Sequence, residues 1–169
     1  MADQIPEGLT NSRFYFEADE IEKKYIKSIS ALKVSSTPAG GAENKVIGVT
    51  KSAQFVRQAT PTFVTFSPVT IEIVATGNSD LYDWYARCNS NVGSFNPWQG
   101  FRMNASITVY DQAGEPRARW ELQKTYPHQY EVSGFDSEGT GWLTEKIVLV
   151  HEGIARVPVE NAVLRAAIA

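Results

Sequence analysis

Apolar and polar residues alternate with a period of two through most of the chain, the pattern of strands that bury one face. "RFYFEA" (13–18) and "YIKSISALKV" (25–34) predict the first two strands, with the acidic turn "DEIEK" between them. Gly, Pro and Ser make "SSTPAGGAEN" (35–44) a loop. "KVIGVTKSAQFVRQ" (45–58) reads as one arm of a hairpin and "ATPTFVTFSP" (59–68) as its return. In "VTIEIVA" (69–75), Val69, Ile71, Ile73 and Ala75 share a face. In "NASITVY" (104–110), Ala105, Ile107 and Val109 point in and Asn104, Ser106 and Thr108 point out. After the turn "DQAGEP", "RARWELQK" (117–124) sets Ala118, Trp120 and Leu122 against Arg117, Arg119, Glu121 and Gln123. "TEKIVLVHE" (144–152) is apolar on both faces at its centre, which predicts cover on both sides.

One segment changes period. In "NSDLYDWYARCNSN" (78–91), Leu81, Trp84, Tyr85 and Cys88 form a helical apolar stripe. Asn78 or Ser79 is placed to cap the first turn, Asp80 and Asp83 suit its positive end, and Asp83 and Arg87 are spaced as an ion pair. The tail 158–169 predicts a second short helix on Val159, Val163, Leu164 and Ala167. Seven or eight strands and one central helix predict a mainly β domain: a small antiparallel barrel or sandwich with a flanking helix. The expected limits are one domain over 1–153, with a long loop or hairpin arm at 35–66, and a C-terminal extension over 154–169.

Composition narrows the function. With 169 residues, 43% hydrophobic and 21% charged, the chain can bury a core without metals or disulfides. A net charge of −3 argues against a nucleic-acid-binding surface. No apolar run reaches the length of a membrane span, so no direct membrane insertion is expected. "MADQIPEGLTNSRF" lacks the features of a signal peptide, which predicts synthesis and assembly in the cytoplasm. Cys88, the single cysteine, lies on the helix stripe as a buried thiol.

Catalytic chemistry is not visible. His128 follows a proline in an expected turn, and His151 ends a strand; neither belongs to a metal-binding pair. Asp136, Glu138 and Glu145 have no spacing that sets two carboxylates across a cleft. "GTG" (139–141) lacks the helix a phosphate loop needs. Trp120 and Trp142 suit core or interface packing more than a sugar platform. No catalytic, metal or cofactor site is expected.

Three pieces, in order, resemble the tail-tube protein family of contractile phages and contractile injection systems. They are "RFYFEADEIEKKYIKSISAL", "FSPVTIEIVATGNSDLYDWYARC" and "ASITVYDQAGEPRARWELQKTYPHQYEVSGFDSEGTGWLTEKIVLVHEG". The motif positions are Trp120, Tyr126, Pro127, Glu145, His151, Glu152 and Gly153, and the long middle segment 35–66 departs from the pattern.

The resemblance implies an inner-tube subunit with a small β-barrel and a flanking helix, similar to the haemolysin-coregulated protein of type VI secretion. Six copies would close into a ring, and rings would stack into a hollow tube. Its partners would be a contractile sheath, baseplate or hub proteins and a tube terminator, with DNA or effector protein as cargo in a bore of neutral or mildly acidic wall. His151 would be the polar end of an interface strand. The apolar arm, with Val46, Ile47, Val49, Phe55, Val56, Phe63 and Phe66, is expected to reach the adjacent ring. Two alternatives remain at this point: a baseplate-proximal tube initiator of the same machine, and a carbohydrate-binding β-sandwich module using Trp120 or Trp142.

Overall fold

The computed structural model describes residues 8–21, 24–39, 60–90 and 98–159. The arm residues Val46, Ile47, Val49, Phe55 and Val56, and nearly all of the expected C-terminal helix, lie outside the described residues. Two compact units form, one from residues 1–31 and 68–169 and a second from 32–67.

The strands of the first unit are β1 (Phe14–Ala18), β2 (Ile26–Ile29), β5 (Val69–Val74), β6 (Met103–Tyr110), β7 (Pro116–Val132), β8 (Thr144–Val150) and β9 (Gly153–Val157). They make one antiparallel path, β1-β6-β7-β8-β5-β2, with β9 added to β7. The fold is thus mostly β and antiparallel, with one α-helix among the described residues, as the alternation predicts. Its two end strands, β1 and β2, do not pair, so among the described residues no closed barrel forms.

β7 serves two ladders. Its first part pairs with β6 and β9 and its last part with β8. The change of partner coincides with a bulge: Met103 faces Thr125 but Ala105 faces Leu122, so β7 carries one extra residue. Lys124 absorbs it with φ 49°, and its N–H donates to the Asn104 side-chain oxygen at 3.1 Å. A lysine in the left-handed region is uncommon, and a bulge that bends a strand is where it belongs.

The inner faces of the two halves meet under helix α1 (Asp80–Cys88). Ala18, Ala105 and Leu122 come from one half and Ile71, Ile73, Ile147 and Leu149 from the other; all are buried. Leu81, Trp84 and Cys88 of the helix are buried with them, while Tyr85 is half-buried. Trp84 Nε1 donates to the Phe101 carbonyl at 2.9 Å, tying the helix to the short 3-10 turn Trp98–Phe101. Burial pushes the Cys88 thiol above its ordinary pKa, the response of a thiolate denied water.

Several local expectations need correction. "YIKSISALKV" is not one strand: Ser30 exchanges bonds with Thr70 through its N–H and its Oγ, and the chain leaves the sheet after it. Pro127 and His128 form no turn; β7 runs through them to Val132. Pro127 sits at a further register shift, where its missing N–H disturbs the ladder least. Residues 154–157, expected in a C-terminal extension, continue the sheet as part of β9. Ser106 and Thr108 lie on the outward face as expected, yet both are buried, because β6 is central and the longer side chains of β1 and β7 flank them. Asn78, not Ser79, accepts from the first helical turn, its Oδ1 taking the Asp80 N–H at 2.8 Å. Arg87 pairs with Glu20 at 3.6 Å instead of the Asp83 carboxylate, which receives the Ser79 hydroxyl.

The second unit is a ribbon of β3 (Val34–Ala39) and β4 (Thr60–Phe66). Every residue of β3 is exposed, and in β4 only Phe66 is half-buried. Pro38 and Pro61 face each other across a register shift, where neither can donate to the ladder.

Candidate assembly surfaces

The first surface is the face of β1, β6, β7 and β9 turned away from the core. Register sets Glu17, Ser106, Glu121 and Ala155 in one cross-strand row and Tyr15, Thr108, Arg119 and Val157 in the next. Glu17, Ser106 and Glu121 of the first row and Arg119 of the second, with Asp19 and Lys124, border an open cleft of about 570 Å³. Its acids and bases nearly balance: Glu17, Asp19 and Glu121 against Arg119 and Lys124. Arg119 Nε lies 3.3 Å from Glu121 Oε1, close enough to attract it but off the axis of a hydrogen bond. The Asp19 carboxylate accepts the Asn104 N–H at 3.0 Å and holds the end of β1 to β6.

Both edges of this four-strand part are open among the described residues, since β1 pairs only with β6 and β9 only with β7. Tyr110 donates to the Arg13 carbonyl at 2.9 Å. Antiparallel pairing then alternates, and the backbone groups of Phe14 and Phe16 point away from β6, toward whatever lies beyond the edge.

A second surface is the ribbon. Val34, Phe63 and Val64 are exposed on a two-stranded ladder, and Phe63 is 71% exposed. Such a ribbon is marginally stable in water by itself.

The third is the loop between β7 and β8. Ser133 donates to the Thr144 carbonyl at 2.8 Å and its Oγ accepts the Thr144 N–H at 3.0 Å, closing the neck of the loop. Asp136 accepts from Gly139 through its carbonyl and from Glu138 through its carboxylate, making the tip a turn. Phe135 and Trp142 are 84% and 83% exposed on the two sides of that turn.

Beside the helix, Tyr130 of β7 packs edge-on against Tyr82 at 5.4 Å and near Tyr85 at 6.2 Å. Burial first, then the charge of Glu145 and a hydrogen bond to it, push the Tyr130 phenol up to about 12. The stabilisation from keeping it neutral is complete below an ordinary tyrosine pKa of ~10 and is lost as pH rises through the folded value. In a titration followed at 295 nm, the parent chain and Tyr130→Phe are expected to coincide to about pH 11 and separate above it. Separation near pH 10 contradicts the assignment.

The motif residues fall at separate places. Trp120 is half-buried under Arg156, whose guanidinium carbon is 5.5 Å from the ring centre. Tyr126 packs on Trp98 at 5.2 Å, and Pro127 is fully buried. Glu145 meets Tyr130. His151 is buried, with Nδ1 3.1 Å from the Gly153 carbonyl. Glu152 pairs with Arg102 and, at 3.4 Å, with Lys124. At Gly153, a Cβ would stand 3.0 Å from the Gln123 side-chain oxygen, so a larger residue would displace that amide. Phe63 and Phe66 lie on β4. Trp120 and Trp142 sit on a sheet and a loop, each with a different setting, and make no shared platform. Among the described residues no three His, Cys, Asp or Glu side chains gather as a metal site.

A family model described as T4-like virus tail tube protein gp19 matches residues 10–155. A search of curated protein sequences returns no match. Among solved structures, the chain is similar to one in the tube-terminating cap of the anti-feeding prophage. The TM-score is 0.70 and the identity 15%, over 94% of this chain and 100% of that one. It is also similar to a chain of the PVC sheath–tube complex, an extracellular contractile injection system in its extended state, with TM-score 0.68, 18% identity and coverage of 90% and 93%. For Hcp1 from Flavobacterium johnsoniae the values are 0.55, 13%, 87% and 96%. At these identities the likeness is one of fold.

Proposed function

The chain belongs to the T4-like virus tail tube protein family, and from that membership we propose that it is a non-enzymatic inner-tube subunit of a contractile tail or injection particle. Six copies close into a ring, rings stack along an axis, and the tube is enclosed by a sheath, founded on a baseplate and ended by a terminator. DNA or effector protein passes through its bore.

The observation that carries this reading is the four-strand part of the sheet. One face is core, the other is polar, and both edges lack a partner strand among the described residues. Edge strands with free backbone groups are satisfied when identical copies pair around a closed circle. The polar face then lines the hole. Its near-balance of Glu17, Asp19 and Glu121 against Arg119 and Lys124 gives a polyanion no continuous basic track to stick to.

Stacking is a second, heterologous contact, repeated by a rotation and a rise that does not close. The segment 32–67, with its exposed Phe63 and Val64, is suited to carry it. Electron microscopy of the purified full chain tests both contacts. Long tubes are expected from the parent, and rings or folded single subunits from a chain lacking residues 45–58. Tubes of normal length from that deletion refute the stacking role. Isolated rings from the parent refute a place in the tube body, and a protein that stays monomeric when concentrated refutes the whole reading.

A further inference from the structure

Leu9 aside, the exposed large apolar side chains of the first unit gather at one end of its helix-covered half: Tyr25, Tyr82, Val132, Phe135, Trp142 and Leu143. The Val74 N–H donates to the Tyr25 carbonyl and the Ala75 N–H to that of Leu143, both at 2.9 Å. Tyr82 packs on Tyr130, two residues before Val132, and Phe135 and Trp142 flank the turn beyond. All six surround the C-terminal end of β7. Acids stand among them: Glu131, Asp136 and Glu138 are exposed, against a half-buried Lys146. An apolar patch with a polar rim marks a contact.

The N-terminal end of β7 has the opposite character. Arg13, Arg117 and Arg156 are exposed there, while Asp111 is buried and Glu115 half-buried. The turn between β6 and β7 is already ordered. Asp111 accepts the Glu115 N–H at 2.9 Å and Arg117 Nε at 2.6 Å, Arg13 Nη1 donates to the Gln112 carbonyl at 2.8 Å, and Gly114 supplies φ 86°. Such a surface loses little freedom when something docks on it. β7 has 17 residues, so even a right-angle bend at Lys124 leaves its ends about 35 Å apart. No copy can bring its own two ends together. Complementary patches that one copy cannot join to each other are what a heterologous contact between copies requires.

Resting on the tube reading above, we propose that the aromatic, acidic end of β7 in one ring seats on the arginine end of β7 in the next. Copies joined through the β1 and β9 edges run their hydrogen bonds around the circle, which leaves strand ends facing along the axis. Guanidinium groups suit both parts of the opposing patch: their planes stack on Phe135 and Trp142, and their N–H groups meet Asp136 and Glu138. The charges also set direction. A reversed copy would place acid on acid, so the tube grows with one polarity.

The test uses the full chain and reads tube length by electron microscopy and sedimentation, with circular dichroism as the control on folding. The double variant Phe135→Ser/Trp142→Ser is expected to keep the parent's melting temperature within a few degrees and to shorten tubes at least tenfold, leaving rings. Asp136→Lys/Glu138→Lys is expected to do the same, and adding Arg13→Glu/Arg156→Glu to it restores length. Independently, chains carrying Ala113→Cys and chains carrying Trp142→Cys, mixed and treated with a short bis-maleimide, are expected to yield a crosslinked heterodimer. Rings that persist while tubes vanish leave the tube reading standing and support the contact. Parent-length tubes from the double serine variant, no rescue by the glutamates, or no heterodimer overturns the contact alone. So does loss of sheath binding with tubes intact, which makes this end a sheath contact. A large fall in melting temperature of the serine variant overturns it too, since the patch is then covered within its own copy. A parent chain that forms neither rings nor tubes overturns the tube reading and the contact together.

Discussion

Trp84→Ala is expected to remove about 3–5 kcal/mol of stability, the range for deleting a buried aromatic side chain. Trp84 has no solvent exposure, and its ring closes the space between the two halves of the sheet and the helix. Its indole N–H is also the principal donor to the Phe101 carbonyl; the Cys88 thiol, at 3.7 Å, is a weak second. In a domain of this size the loss should lower the melting temperature by roughly 10 °C or more. Trp84→Phe separates the two contributions: it restores most of the ring but not the donor, and about 1–3 kcal/mol should still be missing. Urea unfolding followed by near-ultraviolet dichroism measures both. Equal stability of the phenylalanine variant and the parent would show that the Phe101 bond contributes nothing net.

Asp80→Ala is expected to cost about 3 kcal/mol, and Lys24→Met within about 1, although both break the same ion pair. The pair is asymmetric. Lys24 Nζ lies 3.2 Å from Asp80 Oδ2, but the lysine side chain is 7% exposed and the aspartate 32%. Without Asp80, an ammonium is left in a largely dry place beside Ile26, Ile71 and Leu81, next to the positive end of the helix. Without Lys24, the carboxylate still reaches water and still suits the first turn, while methionine fills the void among the isoleucines. Chemical denaturation at low and at 0.5 M salt should give the same ordering, since a pair this buried is little screened. Equal losses from the two variants would mean that packing by the lysine stem, not the stranded charge, sets the effect.

How much of this was legible in the sequence depended on whether the deciding physics was local. The period-two runs located β5, β6 and β8, and the 3.6-residue stripe located α1, because burial on one face leaves its mark on consecutive residues. The outward direction of Ser106 and Thr108 was legible in the same way, but not their burial, which comes from flanking strands distant in sequence. Pro127 is ordinarily a sign of a turn, and only the register with β8 shows that it sits in a bulge. Lys124 carries no signal of its own for a left-handed conformation; the asparagine that holds it is 20 residues earlier. In "GIARV", Arg156 interrupts the apolar pattern, because its stem and charge lie over Trp120. Of the surfaces, the apolar character of Phe63 was visible. Phe135 and Trp142 stood in a stretch whose Gly, Ser and acids spell a turn, and exposure of a ring is a fact about everything that fails to cover it.

Since β7 is common to both ladders, the two halves of the sheet are joined by covalent backbone as well as by a packed seam. A thrust received by the open edges reaches the helix-covered half through peptide bonds, which do not slide. Give is concentrated where the ladders of β7 are irregular, around Lys124 and again at Pro127, so this sheet should transmit force stiffly except at those points.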